Sequence, residues 1–432
     1  MKHTDIKSMF AKYVSLNIAG MIGLSCYILA DTFFVARGIG ANGLTALNLA
    51  IPIYSFIHGV GLMIGMGGAT RFALSKSKET FTQAVYYALI AGGVFLAAGL
   101  FFSAPLAGML GAEGDTLRDT AVYLRLILCF APAFLANNIL LCFVRNDGGP
   151  KLAMIAMLAG SFSNIILDYV FIFPCRMGMF GAALATGIAP VVGLLCLSVH
   201  FIKKRNTVCF VRQRMKGRVL ADITGLGISA LVAEFSSGIV MIVFNAIILR
   251  LEGNTSVAAY GIIANIALVV LAVFTGISQG MQPLISLYHS MDHKAAVKKV
   301  LRYGFATAIL LSVAVYAVSA PLAGTIVDAF NKDGDAHLAQ IATNGLRLYF
   351  TAFVFAGVNI LAATYFSASD HPKHAFILSL LRGFVVILPM TLALAALLGI
   401  NGVWLATTCT ELLVLLVSVR MLRRVGISGS AC

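Results

Sequence analysis

Charged residues are scarce in this sequence. Only 11% of its 432 residues are Asp, Glu, Lys or Arg, and 60% are hydrophobic, whereas an ordinary soluble domain has roughly 25% charged residues. A soluble chain of this length folds into domains with polar surfaces, and 31 basic plus 17 acidic residues are too few to cover them. The composition therefore excludes a soluble globular protein and favours a chain that lies almost entirely in a membrane.

Motifs for catalysis and cofactor binding are absent from the sequence. It contains no Gly-rich phosphate loop, no HExxH, no zinc-ligand spacing and no GxSxG elbow. Its eight cysteines show no CxxC spacing. These absences predict a protein that is not an enzyme and holds no cofactor, so that any transport is driven by an ion gradient and not by ATP hydrolysis.

Long apolar runs fill most of the chain. A window of about 19 residues marks twelve segments of spanning length, since a membrane helix uses ~20 to 25 apolar residues. The segments lie near 13–36, 44–69, 81–104, 120–143, 152–173, 179–202, 221–249, 256–287, 300–323, 343–367, 374–397 and 402–422. The gaps between them are short and rich in turn-forming residues. We therefore predict an all-α integral membrane protein with twelve transmembrane helices.

The net charge of +14 is dispersed in short clusters between the apolar runs. A nucleic-acid-binding protein gathers its basic residues on one polar surface, so we expect no nucleic acid partner. Most Lys and Arg residues fall in alternate gaps, and cytoplasmic loops hold such an excess. The pattern predicts a multi-pass protein of the cell (plasma) membrane with both termini in the cytoplasm.

The sequence contains a tandem repeat. Four short stretches recur in order at a nearly constant spacing of about half the chain: Ser103–Gly108 as Ser319–Gly324, Leu124–Leu126 as Leu346–Leu348, Asn138–Leu140 as Asn359–Leu361, and Leu184–Thr186 as Leu405–Thr407. With six helices per repeat, both copies enter the membrane from the same side. We predict two pseudo-symmetric six-helix lobes, 1–202 and 221–432, joined by a basic cytoplasmic linker, 203–220. Such lobes are typical of transporters.

Few ionisable side chains fall inside the predicted spans. Burying a charge at the bilayer centre costs at least ~2.5 to 3.5 kcal/mol, so each one is a functional candidate: Asp31, His58, Asp168, Glu234, Arg382 and Glu411. We expect the histidine to be a hydrogen-bonded core residue. A buried carboxylate is commonly paired, so a structural Glu234–Arg382 or Glu411–Arg382 bridge is as good an interpretation as an ion-coupling role.

Asn164 and Asp168 are spaced i, i+4, which places both on one face of a helix. With Asp31 and the hydroxyl of Thr186, this face can form an all-oxygen pocket, the kind that hard cations such as Na⁺ prefer. Crowded carboxylates also favour holding a proton. The four residues therefore predict a site for Na⁺ or H⁺, and the same spacing equally suits a structural link between helices.

The ordered motifs of this chain resemble those of the multidrug and toxic compound extrusion (MATE) transporters, and most closely the MepA-like branch. The motifs are Ala30–Gly40, Leu47–Ile53, Gly65–Gly68, Asn164–Asp168, Gly181–Thr186, Gly276–Pro283 and Gly402–Ala406. The resemblance spans nearly the whole chain. It implies the MATE fold and a secondary active antiporter that exports organic, often cationic, drug-like compounds in exchange for Na⁺ or H⁺.

The resemblance also implies roles for single residues. Asp31, Asn164, Asp168 and Thr186 match the amino-lobe cation site of the family. Glu234 matches the helix 7 acidic residue of members with a carboxy-lobe site. Where one branch has a further carboxylate, this chain has Asn359, which argues against a complete carboxy-lobe site. We expect a monomer whose partners are its substrates, the coupling cation and membrane lipid.

Two other functions are compatible with a duplicated membrane protein. A lipid-linked saccharide flippase of the same superfamily would need a cationic cleft for pyrophosphate, whereas most Arg and Lys residues here fall in predicted cytoplasmic loops. A non-transport membrane receptor would move no substrate across the bilayer. Substrate flux therefore separates the receptor from both kinds of transporter.

Overall fold

The computed structural model describes residues 5–203, 206–331 and 335–425, and the regular elements in these ranges are all helical. The helices are α1 (Ile6–Gly38), α2 (Ala41–Ser75), α3 (Glu79–Met109), α4 (Gly114–Cys129), α5 (Ala131–Asn146), α6 (Pro150–Ile172), α7 (Gly178–Ile202), α8 (Gly217–Glu252), α9 (Asn254–Ser290), α10 (Lys294–Ser319), α11 (Ala323–Phe330), α12 (Ala336–Tyr349), α13 (Phe353–Ala368), α14 (Pro372–Leu380), α15 (Ile387–Leu398) and α16 (Ile400–Arg424).

The spans agree with the sequence prediction. In the described part of the chain, eleven helical segments are long and apolar enough to cross a bilayer, with α12–α13 and α14–α15 each counted as one. Helices α4 and α5 are separated by a break with a bend of 48°. Counted together as one span, they bring the number of spans in the described residues to twelve. Each predicted segment overlaps one of these spans, so the all-helical, twelve-span prediction is confirmed.

Breaks in the helices were not visible in the hydropathy pattern. The bend between α4 and α5 occurs at Phe130, just before Pro132, whose missing N–H and fixed ring prevent an ordinary helical turn from continuing. A 3₁₀ turn at Phe350–Ala352 joins α12 to α13. A π-helical turn at Leu381–Val385 follows α14 and connects it, through Val386, to α15. Such turns are enriched at functional sites, and Arg382 lies within this one.

The chain divides into two compact units. We call Ser15–Phe235 the amino-terminal unit, and Met1–Val14 with Ser236–Cys432 the carboxy-terminal unit. These units are defined by packing. The predicted lobes 1–202 and 221–432 and the linker 203–220 are defined by the sequence repeat, and they stay predictions.

The core of the amino-terminal unit combines small, branched and aromatic side chains. Tyr123, Leu124 and Ile127 of α4 are buried against α2 and α7. Glycines of both helices, Gly67 of α2 and Gly227 of α8, lie where α2 crosses α8. The backbones are so close there that a Cβ atom on Gly67 would lie 2.0 Å from the Ile223 carbonyl oxygen. Small residues at such crossings allow backbones to approach closely, which is how membrane helices gain packing energy.

Gly227→Ala is expected to destabilise the protein by about 1–3 kcal/mol, the usual cost of overpacking. The new Cβ would lie 1.9 Å from the Met63 carbonyl oxygen, and a backbone atom cannot rotate away. The matched control is Gly225→Ala on the same helix, where a Cβ meets nothing within 4 Å. The measurement is the apparent melting temperature of purified protein in detergent. Equal melting temperatures for the two variants would contradict the close crossing.

The carboxy-terminal unit packs around aromatic side chains. Trp404 of α16 is fully buried and stacks on Tyr260 of α9, with ring centroids 6.0 Å apart. Phe350 and Phe353 meet edge to face at 4.9 Å. Gly345 of α12 leaves room for the indole, since a Cβ there would lie 3.0 Å from it. The only tryptophan of the chain is thus a core residue.

Candidate functional site

Helix α1 lies directly against α6 because two glycines remove the side chains that would separate them. A Cβ on Gly20 would lie 2.9 Å from Met157 Sδ, and one on Gly23 would lie 2.5 Å from Leu158 Cδ2. Asp31 is two turns further along α1. The close approach therefore carries this carboxylate to the half of α6 that holds the predicted polar face.

The structure brings the four predicted cation-site residues together in the amino-terminal unit. Asp31 is only 6% exposed and Asp168 is 0% exposed, and Asn164 and Thr186 are also buried. Asp31 lies close enough to Asp168 for its negative charge to act on the Asp168 carboxyl group. Neither carboxylate is turned towards lipid. The arrangement places two acidic groups in one enclosed, apolar environment.

Hydrogen bonds order this cluster but leave it incomplete. In the amide orientation that satisfies both of its polar atoms, Asn164 donates to Asp168 Oδ2 at 3.0 Å and accepts from the Thr186 backbone N–H at 3.2 Å. Among the described residues, no group donates to Asp31 Oδ1 or to Asp168 Oδ1, although both atoms are buried. Buried polar atoms are normally satisfied. The two free oxygens therefore suit a small cation or a proton.

Three tyrosines, of which Tyr27 and Tyr123 are buried and Tyr54 is partly buried, extend the cluster, and the sequence prediction missed them. The hydroxyls of Tyr27 and Tyr54 are 2.8 Å apart. Tyr123 of α4 lies beside Thr186. Tyr27 precedes Asp31 by four residues, so the helical spacing could have placed it on the same face of α1. Nothing in the local sequence of α2 or α4 marked the other two.

Glu234 is also part of the amino-terminal unit. His58 Nδ1 lies 3.6 Å from Glu234 Oε2, and the His58 ring stacks on Tyr54 at 6.1 Å. Both Glu234 and Asp31 act electrostatically on Tyr54. The histidine, which we expected to be a hydrogen-bonded core residue, thus links a third acidic group, Glu234, to the edge of the cluster.

The other predicted residues form a charge network in the carboxy-terminal unit. Arg382 Nε donates to Glu411 Oε1 at 2.5 Å, so this unit contains the predicted Glu411–Arg382 bridge. Asn359 donates to Glu411 Oε2 at 2.8 Å and accepts from Ser418 at 2.9 Å. Each carboxylate oxygen has a donor. Unlike the Asp31–Asp168 cluster, this network carries its own positive charge.

Metal ligands of the usual kind do not converge in the described residues, where no three His, Cys, Asp or Glu side chains are placed to hold an ion. The predicted Na⁺ site has a different donor set, with two carboxylates, one amide and one hydroxyl. Oxygen donors of this mixed kind suit a hard cation. Occupation of the site by Na⁺ stays a prediction.

The spans and the buried acidic cluster together define a multi-pass membrane protein with a candidate ion site. The MatE family model matches residues 18–170 and 230–393, and the chain belongs to the MATE family. Relatives named multidrug export protein MepA place it in the MepA-like branch.

The similarities extend over most of each chain. The MepA of Staphylococcus saprophyticus subsp. saprophyticus is 29% identical over 411 residues, 93% of this chain and 90% of the relative. The MepA of Staphylococcus aureus (strain MRSA252) is 29% identical over 391 residues, 87% and 84% of the two chains.

Solved structures share the fold. A crystal structure of MATE in complex with MaL6 has a TM-score of 0.90 at 22% identity, over 98% of this chain and 97% of that one. A structure of the MATE multidrug transporter DinF-BH has a TM-score of 0.88 at 25% identity, over 96% and 95%. The predicted MATE fold is confirmed.

Proposed function

We propose that this chain is a secondary active multidrug efflux antiporter, which exports organic, often cationic, drug-like compounds in exchange for Na⁺ or H⁺ by alternating access. The observation that carries the proposal is the buried carboxylate pair Asp31 and Asp168, each with an oxygen that accepts no hydrogen bond from the described residues. Membership of the MATE family and relatives named multidrug export protein support the substrate class.

The coupling cation has a defined task in this proposal. Two charged carboxylates repel each other strongly in an apolar environment, and Na⁺ or H⁺ relieves that repulsion. A ligand shifts a conformational equilibrium only if it binds the two states with different affinities. The cation binds the cluster of Asp31, Asn164, Asp168 and Thr186 from outside, weakens the hold on the drug, and favours the return of the empty transporter.

The remaining charged residues receive separate roles. Glu234 contributes to the charge balance of the same cluster through His58 and Tyr54, which lie beside it. The Arg382–Glu411 pair is structural, because its charges already neutralise each other. The protein works without a cofactor as a monomer, in the cell membrane, with both termini in the cytoplasm.

Flux measurements in proteoliposomes test the function. Purified protein is reconstituted, and movement of a fluorescent organic cation is followed under a Na⁺ gradient alone and under a pH gradient alone. We expect concentrative transport under one of the gradients, and the background rate of protein-free vesicles when neither is imposed. Background rates under both gradients would refute the antiporter and favour a protein that does not transport such compounds.

The coupling cation is expected to stabilise the purified protein. A ligand that binds only the folded state adds RT ln(1 + [L]/Kd), which is about 2.7 kcal/mol at one hundred times Kd. Thermal unfolding in detergent is measured against Na⁺ at constant ionic strength and, separately, against pH. The stabilisation should vanish in Asp31→Asn and persist in Asp292→Asn, a matched substitution at an exposed carboxylate. Equal stabilisation of both variants would exclude Asp31 from the cation site.

A further inference from the structure

The segment between α7 and α8 follows a defined path in the amino-terminal unit. Of the predicted linker, residues 204–205 lie outside the described part of the chain. Residues 206–216, which we call the strap, have no regular secondary structure. Val208 nevertheless inserts fully buried into the core beside Phe81 and Ile223. The strap is therefore a packed element of the unit.

The first end of the strap is tied to a buried carboxylate. The Thr207 backbone N–H donates to Asp147 Oδ2 at 2.8 Å, and the Thr207 hydroxyl donates to Asp147 Oδ1. The same Asp147 Oδ2 lies 2.9 Å from Nε2 of His200, at the end of α7. The side chains of Asp147 and His200 are almost completely buried. This contact fixes where the chain leaves α7.

Two buried polar side chains of α3 bind the strap backbone. The Val211 N–H donates to Thr82 Oγ1 at 2.8 Å. Gln83 accepts from the Lys216 N–H at 2.9 Å and donates to the Arg214 carbonyl at 2.8 Å. Buried polar groups require such partners, and Thr82 and Gln83 are both fully buried. The sequence of α3 thus specifies the course of the strap.

The outer side of the strap alternates cations with apolar side chains. Arg212 and Arg214 are exposed, and neither forms an ion pair with an acidic residue in the described ranges. Phe210 is 56% exposed and Met215 is 46% exposed. Basic residues interleaved with exposed large apolar residues are typical of segments that lie in the membrane interface.

The strap lies at the ends of candidate spans, which is where a segment of basic and exposed apolar residues is expected. It joins the end of α7 to the start of α8 and is bound to the first turns of α3, and all three helices are candidate spans. The ends of spans lie at the boundary between bilayer and water. A segment that joins the ends of three spans is therefore expected to place its arginines near the lipid phosphates and its apolar side chains near the upper acyl chains.

We propose that the strap is a binding surface for anionic phospholipid headgroups, with Arg212 and Arg214 contacting the phosphates and Phe210 and Met215 entering the interface. Basic residues at a membrane surface attract anionic lipids. The apolar side chains favour a lipid over an acidic protein or a nucleic acid, neither of which offers an acyl region. The proposal does not depend on the transport activity.

Lipid titration tests the proposal. Full-length protein in detergent is titrated with dioleoyl phosphatidylglycerol or with dioleoyl phosphatidylcholine, and bound lipids are counted by native mass spectrometry. We expect phosphatidylglycerol to bind preferentially. Arg212→Gln/Arg214→Gln should weaken its binding about 30-fold, which corresponds to about 1 kcal/mol for each removed cation. Arg118→Gln/Arg125→Gln, two exposed arginines outside the strap, should leave binding unchanged.

Two further variants test whether lipid binding requires the folded strap and its apolar side chains in addition to its positive charge. Thr82→Val/Gln83→Leu keeps every cation but removes the side chains that hold the strap, and it should also weaken phosphatidylglycerol binding. Phe210→Ser/Met215→Ser should do the same. The proposal is overturned if Arg212→Gln/Arg214→Gln binds like the parent, if the Arg118 and Arg125 control loses as much, or if removing the apolar side chains has no effect.

Discussion

Asp31→Asn is expected to reduce gradient-driven efflux to the rate of protein-free vesicles. Asparagine has nearly the same size as aspartate but carries no charge, so the cluster with Asp168 is already relieved of repulsion before any cation binds. The cation then has no preference between the two states, and without such a preference it cannot drive a conformational cycle. Flux in proteoliposomes under the productive gradient measures the loss.

Folding of this variant should be largely intact. Asp31 is buried and its Oδ1 accepts no hydrogen bond from the described residues, so the substitution breaks no hydrogen bond at that atom, and it removes an unpaired charge from an apolar environment. The matched control is Asp292→Asn, at an exposed carboxylate, which should export normally. Drug export by Asp31→Asn at the parent rate would refute the proposed role of Asp31.

Arg382→Met is expected to lower the free energy of unfolding by about 3–5 kcal/mol, because it leaves the carboxylate of Glu411 buried without its counter-ion. The Glu411 side chain is only 5% exposed and the ion pair is 2.5 Å long. The hydrogen bond from Asn359 remains, but a neutral amide does not replace a guanidinium. Thermal and denaturant unfolding of the purified protein measure the effect.

A double variant distinguishes the charge from the packing of the arginine. Arg382→Met/Glu411→Gln removes both charges, and replacing a buried ion pair by uncharged side chains of similar size is often neutral. We therefore expect it to recover most of the lost stability. If the single and double variants unfold alike, the stabilisation by Arg382 comes from its aliphatic chain and not from the bridge to Glu411.

Periodicity was sufficient to predict the spans and part of the candidate site. Apolar runs of spanning length are a strong signal because a bilayer admits few alternatives to the helix. Asn164 and Asp168 could be placed on one face because both lie on α6, where the helical repeat relates them. Asp31 and Thr186 lie on other helices, so their grouping with this face came from their oxygen ligands and from the resemblance of motifs, and not from spacing along the chain.

Features that depend on contacts between distant segments were not predictable from the pattern. Tyr54 and Tyr123 are single polar groups in apolar runs, and only packing of α2 and α4 against the cluster gives them partners. The choice between Glu234 and Glu411 as the partner of Arg382 was open, because the separation of two residues in sequence does not give the distance between their side chains in the folded protein. The strap was predicted only as a basic linker. Its fixed path depends on hydrogen bonds to α3, a helix that is distant in sequence, and such contacts leave no pattern within the strap itself.

The buried position of Trp404 has a practical consequence for spectroscopy. Because it is the only tryptophan of the chain and lies in the core of the carboxy-terminal unit, tryptophan-selective fluorescence of unlabelled protein originates in that unit alone. A red shift of the emission would report hydration of this core. The amino-terminal unit contributes no tryptophan emission, so the carboxy-terminal unit can be followed by itself without attaching a dye.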